Sequence, residues 1–163
     1  MTPERQKRFI ELALAQVGKP YSVHYNSSEW VKDKGLVPSP RDLWDFDPKP
    51  VQFDCSGLLT WLCGLALKIK VPHGTKAQQD VCEKRDPTLP VDCADLGFIE
   101  RLTGKRHVVI HLHDGYCIEA SGSKGKVVVS EASRWEKDPD FLGWFRLDSG
   151  RLERWRKGIH SKN

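Results

Sequence analysis

A cysteine that could act as a nucleophile follows directly after an aspartate, in the run Phe53-Asp54-Cys55-Ser56-Gly57. Aspartate caps helices by accepting hydrogen bonds from the amides of the first turn, so the sequence predicts a helix that begins at Asp54. Cys55 then lies where unpaired amides and the helix dipole favour a thiolate, which is the nucleophilic form. The same amides supply part of an oxyanion hole. The small side chains of Ser56 and Gly57 keep the approach to the sulfur open.

The other four cysteines are interpreted as packing residues. Cys63 lies two helical turns beyond Cys55 in the same apolar segment, where no helix end is free. Cys82, Cys93 and Cys117 have no helix start or cation close to them in the sequence. Since the five cysteines are odd in number and no pair has C-x-x-C spacing, free thiols are favoured over a disulfide framework or a four-cysteine zinc site.

A nucleophilic thiol needs an imidazole that takes its proton and a third group that orients the imidazole. His107 opens a predicted strand directly after the polar stretch 103–106, where a side chain can face a cleft. The position of the third group depends on the hairpin that follows. With a two-residue turn at Asp114-Gly115, Glu119 lies on the face opposite His107 and no Cys-His-Glu triad forms.

A three-residue loop over residues 113–115 gives the other register. Leu112 then pairs with Tyr116, and His107 lies diagonal to Glu119 on one face of the sheet. A carboxylate beside the imidazole would fix its tautomer and favour its charged form. We favour this loop because it also turns a set of apolar side chains onto the opposite face. These are Val108, Ile110, Leu112 and Ile118.

A metal site is the competing interpretation of the histidine-rich strand. His111 and His113, with Asp114 or Glu119, offer nitrogen and oxygen ligands. The run lacks the further histidine and remote carboxylate of a hydrolytic zinc site. Histidines that are satisfied by neighbours or face solvent are therefore favoured, and no metal or other cofactor is expected.

Periodicity predicts the secondary structure. Apolar residues recur at helical spacing over about residues 3–17, between the capping pair Thr2-Pro3 and Gly18. A second helix is predicted from Asp54 and a shorter one after Thr75. The pattern then changes to the alternation of strands. Helices followed by a meander of strands predict an α+β fold with an antiparallel sheet of about five strands. The predicted strands cover residues 96–100, 107–112, 116–120, 126–130 and 141–147.

Length and composition predict a single domain over residues 1–163. Hydrophobic residues make up 39% of the chain and charged residues 29%, which excludes a disordered chain, and no apolar run is long enough to span a membrane. The proline-rich segment at about 22–52 lacks periodicity and is predicted to be a long, insertion-like functional loop. The basic tail at about 150–163 is interpreted as a solvated end, and no nucleic-acid partner is expected. Three tryptophans are interpreted as packing residues: Trp135, Trp144 and Trp155.

Several of these runs resemble the motifs of NlpC/p60-type cell-wall cysteine peptidases. The run Phe53 to Leu58 is similar to the nucleophile motif of that family, and Val17 to Tyr21 to the segment that ends its first helix. The run His107 to Ser121 is similar to its base strand and hairpin. The middle motifs of the family are matched by Val71-Pro72-His73-Gly74-Thr75, Gln78 and Asp95-Leu96-Gly97-Phe98-Ile99.

This resemblance implies a papain-like fold and a set of site residues. By it, Cys55 is the nucleophile, His107 is the general base and acid, and Glu119 occupies the orienting position. The family typically hydrolyses the bond between D-glutamate and a diamino acid in the stem peptides of bacterial peptidoglycan. Peptidoglycan stem peptides are therefore the expected partner.

Three further residues are expected to border the substrate and the oxyanion hole: Tyr21, Asp54 and Ser56. Two departures from the family pattern affect this region. About 30 residues separate Tyr21 from Phe53, where the family often has a short Trp-Gly-Gly connection. Glu119 also stands where histidine, asparagine or glutamine is commoner.

Residues Met1 to Lys7 lead into an alternation of apolar and charged residues, without a signal-peptide core. Synthesis in the cytoplasm without a signal peptide is therefore expected, with action on the wall after lysis, injection or non-classical export. A phage lysin, a tail-associated lysin and an injected effector all fit. The alternatives are an amidase or acyltransferase that uses the same Cys/His dyad, or a non-catalytic wall-binding or virion module.

Overall fold

A computed structural model describes residues 1–22 and 52–158 of the chain. The loop predicted at about 22–52 therefore lies almost entirely outside the described residues, as does the end of the basic tail. The helices are α1 (Pro3–Leu14), α2 (Cys55–Leu62), α3 (Thr75–Asp80), α4 (Ala132–Glu136) and α5 (Ser149–Arg156). The strands are β1 (Cys82–Lys84), β2 (Leu96–Glu100), β3 (Arg106–His113), β4 (Tyr116–Ser121), β5 (Lys126–Glu131) and β6 (Phe141–Leu147).

The strands form one antiparallel sheet in the order β1-β6-β2-β3-β4-β5. The sheet has six strands rather than about five, because β1 pairs with β6 at the edge and has three residues, too few to show an alternating pattern. The basic tail also contains α5, which the sequence analysis did not predict. Its cap is Asp148, whose side chain accepts a hydrogen bond from the backbone N–H of Arg151 at 2.8 Å. Within the two described segments, no helix is long and apolar enough to cross a membrane.

Helix α2 is apolar on almost every side because it lies between α1 and the sheet. All its residues from Ser56 to Leu62 are buried, and the chain continues as a π-helical turn over Cys63–Leu67. Helix α1 begins at the Thr2 cap, and its α-helical hydrogen bonding ends at Leu14, after which turns lead to Gly18 at φ 91°. These helices and one face of the sheet enclose the main core. The four side chains predicted to share that face, Val108, Ile110, Leu112 and Ile118, all lie in it.

The other face of the sheet carries a smaller core, here called the outer cluster. It is covered by α4 and by the side chains of β6. Its buried members are Ile99, Val109, Cys117, Ala132, Trp135 and Trp144.

The turn between β3 and β4 differs from the prediction. Asp114 and Gly115 have φ values of 52° and 76°, and His113 pairs with Tyr116. This is a two-residue turn with two left-handed residues, as in type I′ hairpins, so the predicted three-residue loop is wrong. Positive φ values at Asp-Gly match the right-handed twist of the strands, which is why this turn forms.

A β-bulge next to the turn restores the register that the three-residue loop would have given. Pairing shifts between His111 and His113, so that His111 pairs with Cys117 and Ile110 with Ile118. The residue inside the bulge is Leu112, which is buried in the main core. An extra residue in one strand reverses the alternation of faces beyond it. His107 and Glu119 therefore lie on the same face even though the turn has two residues.

Candidate active site

Cys55 occupies the first turn of α2, where the helix begins at its Asp54 cap. The Asp54 carboxylate accepts a hydrogen bond from the backbone N–H of Gly57 at 2.6 Å. Asp54 and Ser56 are buried, whereas Cys55 between them is half-buried. The thiol is thus the accessible group in a run of buried residues, beside helix amides that have no partner within the helix.

His107 lies next to this thiol, at the start of β3. Its Nε2 atom is 3.3 Å from Oε1 of Glu119, and the imidazole also hydrogen-bonds the Cys55 side chain. Burial disfavours the charged imidazole, but the hydrogen bonds and charges of Cys55 and Glu119 outweigh it and raise the pKa of His107 to about 9. His107 therefore lies between the side chains of Cys55 and Glu119, and both of them favour the charged form of its imidazole.

The Cys55 thiol, the His107 imidazole and the Glu119 carboxylate form a row, and Glu119 is its buried end. Its side chain is 2% exposed, and Oε2 has no hydrogen-bond partner among residues 1–22 and 52–158. Burying a carboxylate is costly unless it is paired. Its pairing with the His107 imidazolium offsets that cost and fixes which imidazole nitrogen faces the sulfur.

Tyr21 borders the site from the segment that follows α1. It forms a parallel bridge with Phe53, and its backbone N–H donates to the carbonyl of Gly125 at 2.9 Å. Burial and the negative charges of Cys55 and Asp54 raise the pKa of its hydroxyl. The hydroxyl is therefore a neutral donor beside the sulfur.

His73 also contacts the residues on both sides of the nucleophile, although the sequence analysis gave it no role. Its Nε2 atom lies 3.2 Å from both carboxylate oxygens of Asp54 and 3.1 Å from Oγ of Ser56. Both contacts use one nitrogen, whereas a Ser-His-Asp triad uses the two different nitrogens of the ring. The arrangement therefore braces the start of α2 and does not activate Ser56 as a nucleophile. No sequence signal beyond the Val71–Thr75 run marks this contact.

Gln78 fixes the same region from α3. The side chain is fully buried, and its Nε2 donates to the carbonyl oxygens of Ser56 at 2.8 Å and Pro72 at 3.0 Å. It thereby links the first turn of α2 to the segment that carries His73. As with His73, only the matched family motif pointed to this residue.

Burial sets the protonation state of the other four cysteines. All five thiols are free. Burial raises the pKa of Cys63 above the usual range, that of Cys82 to about 12, and those of Cys93 and Cys117 to about 11. These four thiols are therefore protonated at neutral pH.

The histidine-rich strand does not gather ligands for a metal. His111 is buried and its Nδ1 lies 3.0 Å from the carbonyl oxygen of Asp92, while His113 lies beyond the bulge and contacts Asp114. Glu119 is engaged with His107 instead. In the part of the chain that the structure describes, no three His, Cys, Asp or Glu side chains are grouped so that they could hold a metal ion.

One aromatic contact at the site was not anticipated. The indole of Trp135, in α4, packs against the imidazole of His107 with ring centroids 5.3 Å apart and an interplanar angle of 42°. The sequence places Trp135 after β5, with no local pattern that links it to β3. Its interpretation as a packing residue is therefore incomplete.

Comparisons with known proteins agree with this fold. A model of the NlpC/P60 family matches residues 39–142. The peptidoglycan endopeptidase RipB of Mycobacterium tuberculosis is 32% identical over 121 residues, which are 74% of this chain and 45% of that protein. The chain thus spans less than half of the curated relative it matches.

Solved structures give the same result. The peptidoglycan hydrolase RipB of M. tuberculosis superposes with a TM-score of 0.60 at 27% identity, over 88% of this chain and 65% of the other. RipD of the same organism is a non-catalytic NlpC/p60 domain protein with an adaptation to peptidoglycan binding. It superposes with a TM-score of 0.62 at 19% identity, over 91% of this chain and 99% of RipD. The expected α+β, papain-like fold is confirmed.

Proposed function

The chain belongs to the NlpC/P60 family, and we propose that it is a cysteine endopeptidase that hydrolyses peptidoglycan stem peptides. The observation that carries this proposal is the row formed by the Cys55 thiol, the His107 imidazole and the Glu119 carboxylate. A nucleophile, a base that touches it and a group that orients the base are the parts that acyl transfer requires. The single accessible thiol at a helix start is the one that contacts the imidazole.

The first half of the proposed reaction forms an acyl-enzyme. The Cys55 thiolate attacks the scissile carbonyl carbon, a C–S bond forms, and the oxyanion is stabilised by amides at the start of α2. As the tetrahedral intermediate collapses, the C–N bond breaks and His107 donates its proton to the leaving amine. The products are a thioester on Cys55 and a free amine.

The second half returns the enzyme to its starting state. His107, now neutral, takes a proton from a water molecule while the oxygen of that water attacks the thioester carbon. The C–S bond breaks, the acid product leaves, and the thiolate–imidazolium pair is restored. Throughout, Glu119 holds the imidazole and stabilises its charged form.

The residues around the sulfur support substrate binding in this proposal. Tyr21 supplies a neutral hydroxyl near Cys55, and Asp54 and Ser56 are held rigidly by His73. Rigid support keeps the oxyanion donors aligned without reorganisation during the reaction.

The wall substrate is supported by the relatives. RipB carries the name peptidoglycan endopeptidase, and the NlpC-type motifs imply cleavage between D-glutamate and a diamino acid. RipD has the same fold and is non-catalytic, so the fold alone does not establish activity. The proposal of catalysis therefore depends on the thiol–imidazole–carboxylate row.

Mass spectrometry of defined muropeptides after incubation with the purified chain tests this function. We expect products with a new terminus at D-glutamate, no product from the Cys55→Ala variant, and normal product from Cys93→Ala, which removes a half-buried thiol elsewhere. A released lactyl peptide would instead indicate an amidase. Binding of wall fragments without cleavage would indicate a non-catalytic module and overturn the proposal.

A further inference from the structure

We infer that Trp135 is a positioning residue for the proposed reaction, because its indole ring holds the His107 imidazole between Cys55 and Glu119 and shields that pairing from water. The inference rests on the proposed thiol-dependent mechanism. It adds to the active site a residue of the outer cluster that touches no substrate.

The position of Trp135 follows from the way the chain covers the outer face of the sheet. Helix α4 begins immediately after β5, and Trp135 is 6% exposed within it. His107 lies on the same face, since its partner in β2 is Ile99 of the outer cluster. The indole and imidazole centroids are 5.3 Å apart. At this distance the indole covers the imidazole on the side of the outer cluster.

An aromatic ring suits a charged imidazole. The π-face of tryptophan attracts cations within about 6 Å of its centroid, and exclusion of water strengthens the attraction between the imidazolium and its anionic partners. The ring thus favours the thiolate–imidazolium pair as well as its geometry. The titratable and charged groups that face this region are Cys55 from α2, Glu119 and Cys117 from β4, and Arg134 and Glu136 from α4.

The two side chains Trp135 and Glu119, which contact this imidazole, each carry a buried polar atom that has no hydrogen-bond partner among the described residues. Neither Nε1 of Trp135 nor Oε2 of Glu119 has a hydrogen-bond partner in the described ranges 1–22 and 52–158. Unpaired buried polar groups are uncommon, because they destabilise the fold. A phenylalanine would fill much of this space without the unpaired N–H. The indole has no hydrogen bond of its own in the described residues. Its ring contacts the His107 imidazole and the guanidinium of Arg134, whose central carbon lies 4.8 Å from the ring centroid.

The outer cluster provides a matched control. Trp144 is also buried there and also packs against a histidine, with its ring centroid 5.5 Å from that of His111. Its indole N–H donates to Glu136 at 3.1 Å, so it is satisfied. Replacing either tryptophan by leucine removes a similar buried ring from the same cluster. Only the Trp135 replacement removes a ring from the His107 imidazole.

The first experiment is an NMR titration of the histidine side chains without substrate. In Trp135→Leu we expect the midpoint of His107 to move from about 9 toward its ordinary value of about 6.5. Relief of desolvation raises the pKa, but the weaker interactions with Cys55 and Glu119 and the lost attraction of the indole for the charged imidazole outweigh it. In Trp144→Leu we expect no movement of the His107 midpoint. An unchanged midpoint in Trp135→Leu would overturn the inference.

The second experiment measures kcat and KM on a muropeptide against pH. We expect kcat of Trp135→Leu to fall about 10-fold with KM changed less than about 2-fold. The alkaline limb of its kcat–pH profile should move to lower pH. Trp135→Phe should restore most of kcat. Equal losses in Trp135→Leu and Trp144→Leu would mean that Trp135 is a packing residue only. If the wild-type chain cleaves no muropeptide, the proposed function fails, while the titration still tests the contact.

The wild-type protein itself gives a readout that does not depend on the folding of a variant. The indole N–H resonance of Trp135 should titrate with the midpoint of His107, and this titration should disappear in His107→Gln. The resonance of Trp144 should not follow that midpoint. A Trp135 resonance whose chemical shift does not change with the protonation of His107 would contradict the inference.

Discussion

Glu119 accepts a hydrogen bond from His107 across a hairpin whose turn alone would place the two side chains on opposite faces of the sheet. The bulge at Leu112 brings them onto one face, and the Nε2–Oε1 distance is 3.3 Å. Because the bulged residue is anchored in the main core, the register is held by packing as well as by hydrogen bonds. The proposed catalytic pair therefore depends on a local irregularity of the strand.

Replacing Glu119 by glutamine tests the role of its charge. The amide keeps the size of the side chain and one acceptor, but it no longer stabilises the imidazolium. We expect kcat to fall at least about 10-fold and the pKa of His107 to fall, both measured on the purified variant.

Glu100→Gln is the control for this change. Glu100 is a partly exposed carboxylate on β2 that pairs with Arg106, the neighbour of His107, at 2.7 Å. Its loss should leave kcat within about 2-fold of wild type, since exposed pairs contribute little. Equal effects of the two glutamine variants would show that Glu119 has no special role.

Folding stability should depend on pH through His107. Its pKa is about 9 in the folded chain against about 6.5 in the unfolded chain, so the folded state binds the proton more tightly. The resulting stabilisation is complete below about pH 6.5 and is lost as pH rises through about 9. The difference in the free energy of unfolding between wild type and His107→Gln should therefore shrink across this window, by up to about 3 kcal/mol. Urea unfolding of both proteins at several pH values measures this difference. A difference that does not vary with pH would contradict the stabilising role of the protonated His107.

Removing His73 should loosen the start of α2. In His73→Ala the mostly buried Asp54 carboxylate keeps its bond to Gly57 but loses the imidazole. We expect the free energy of unfolding to fall by about 1–2 kcal/mol and kcat to fall several-fold. The matched change is His113→Ala, which removes an exposed imidazole paired with exposed Asp114 and should alter neither quantity. A His73→Ala variant that behaves like His113→Ala would show that the brace is dispensable.

A strained backbone position offers a stabilising change far from the chemistry. Ala94 has φ 68°, a left-handed conformation that costs a residue with a Cβ about 1–2 kcal/mol. Ala94→Gly should raise the free energy of unfolding by about 0.5–1 kcal/mol after the extra flexibility of glycine in the unfolded chain is included. Ala15→Gly, at an exposed right-handed position with φ −64°, should lower it instead. Chemical denaturation of both variants measures the change in the free energy of unfolding. Changes of the same sign in the two variants would contradict this explanation.

The features that the sequence predicted best are those with a local cause. Helix α2 begins at Cys55 because Asp54 caps it, and β2 and β6 have the predicted bounds because their patterns are strong. Strand β1 was not predicted because its three residues are too few to show the alternation of apolar and polar residues that is typical of a strand. Helix α5 lay in a segment interpreted from its charge alone.

The contacts within the site depend on tertiary packing, so local patterns determine them only in part. The turn at Asp114-Gly115 was predicted wrongly, yet the expected proximity of His107 and Glu119 is present in the structure because a bulge compensates. No sequence pattern reports such a bulge. The contacts of His73 and Trp135 join segments that are distant along the chain, and no motif next to either residue in the sequence predicts which residue it contacts.

Alkylation of the thiols, followed together with activity, tests the role of Cys55 most directly. Limiting iodoacetamide is added to the purified chain, and peptide mapping by mass spectrometry gives the alkylated fraction of each cysteine while muropeptide cleavage is measured in the same samples. We expect Cys55 to react before the other four thiols, and cleavage to fall in proportion to its alkylated fraction. Full alkylation of Cys55 with cleavage retained would contradict its role as the nucleophile.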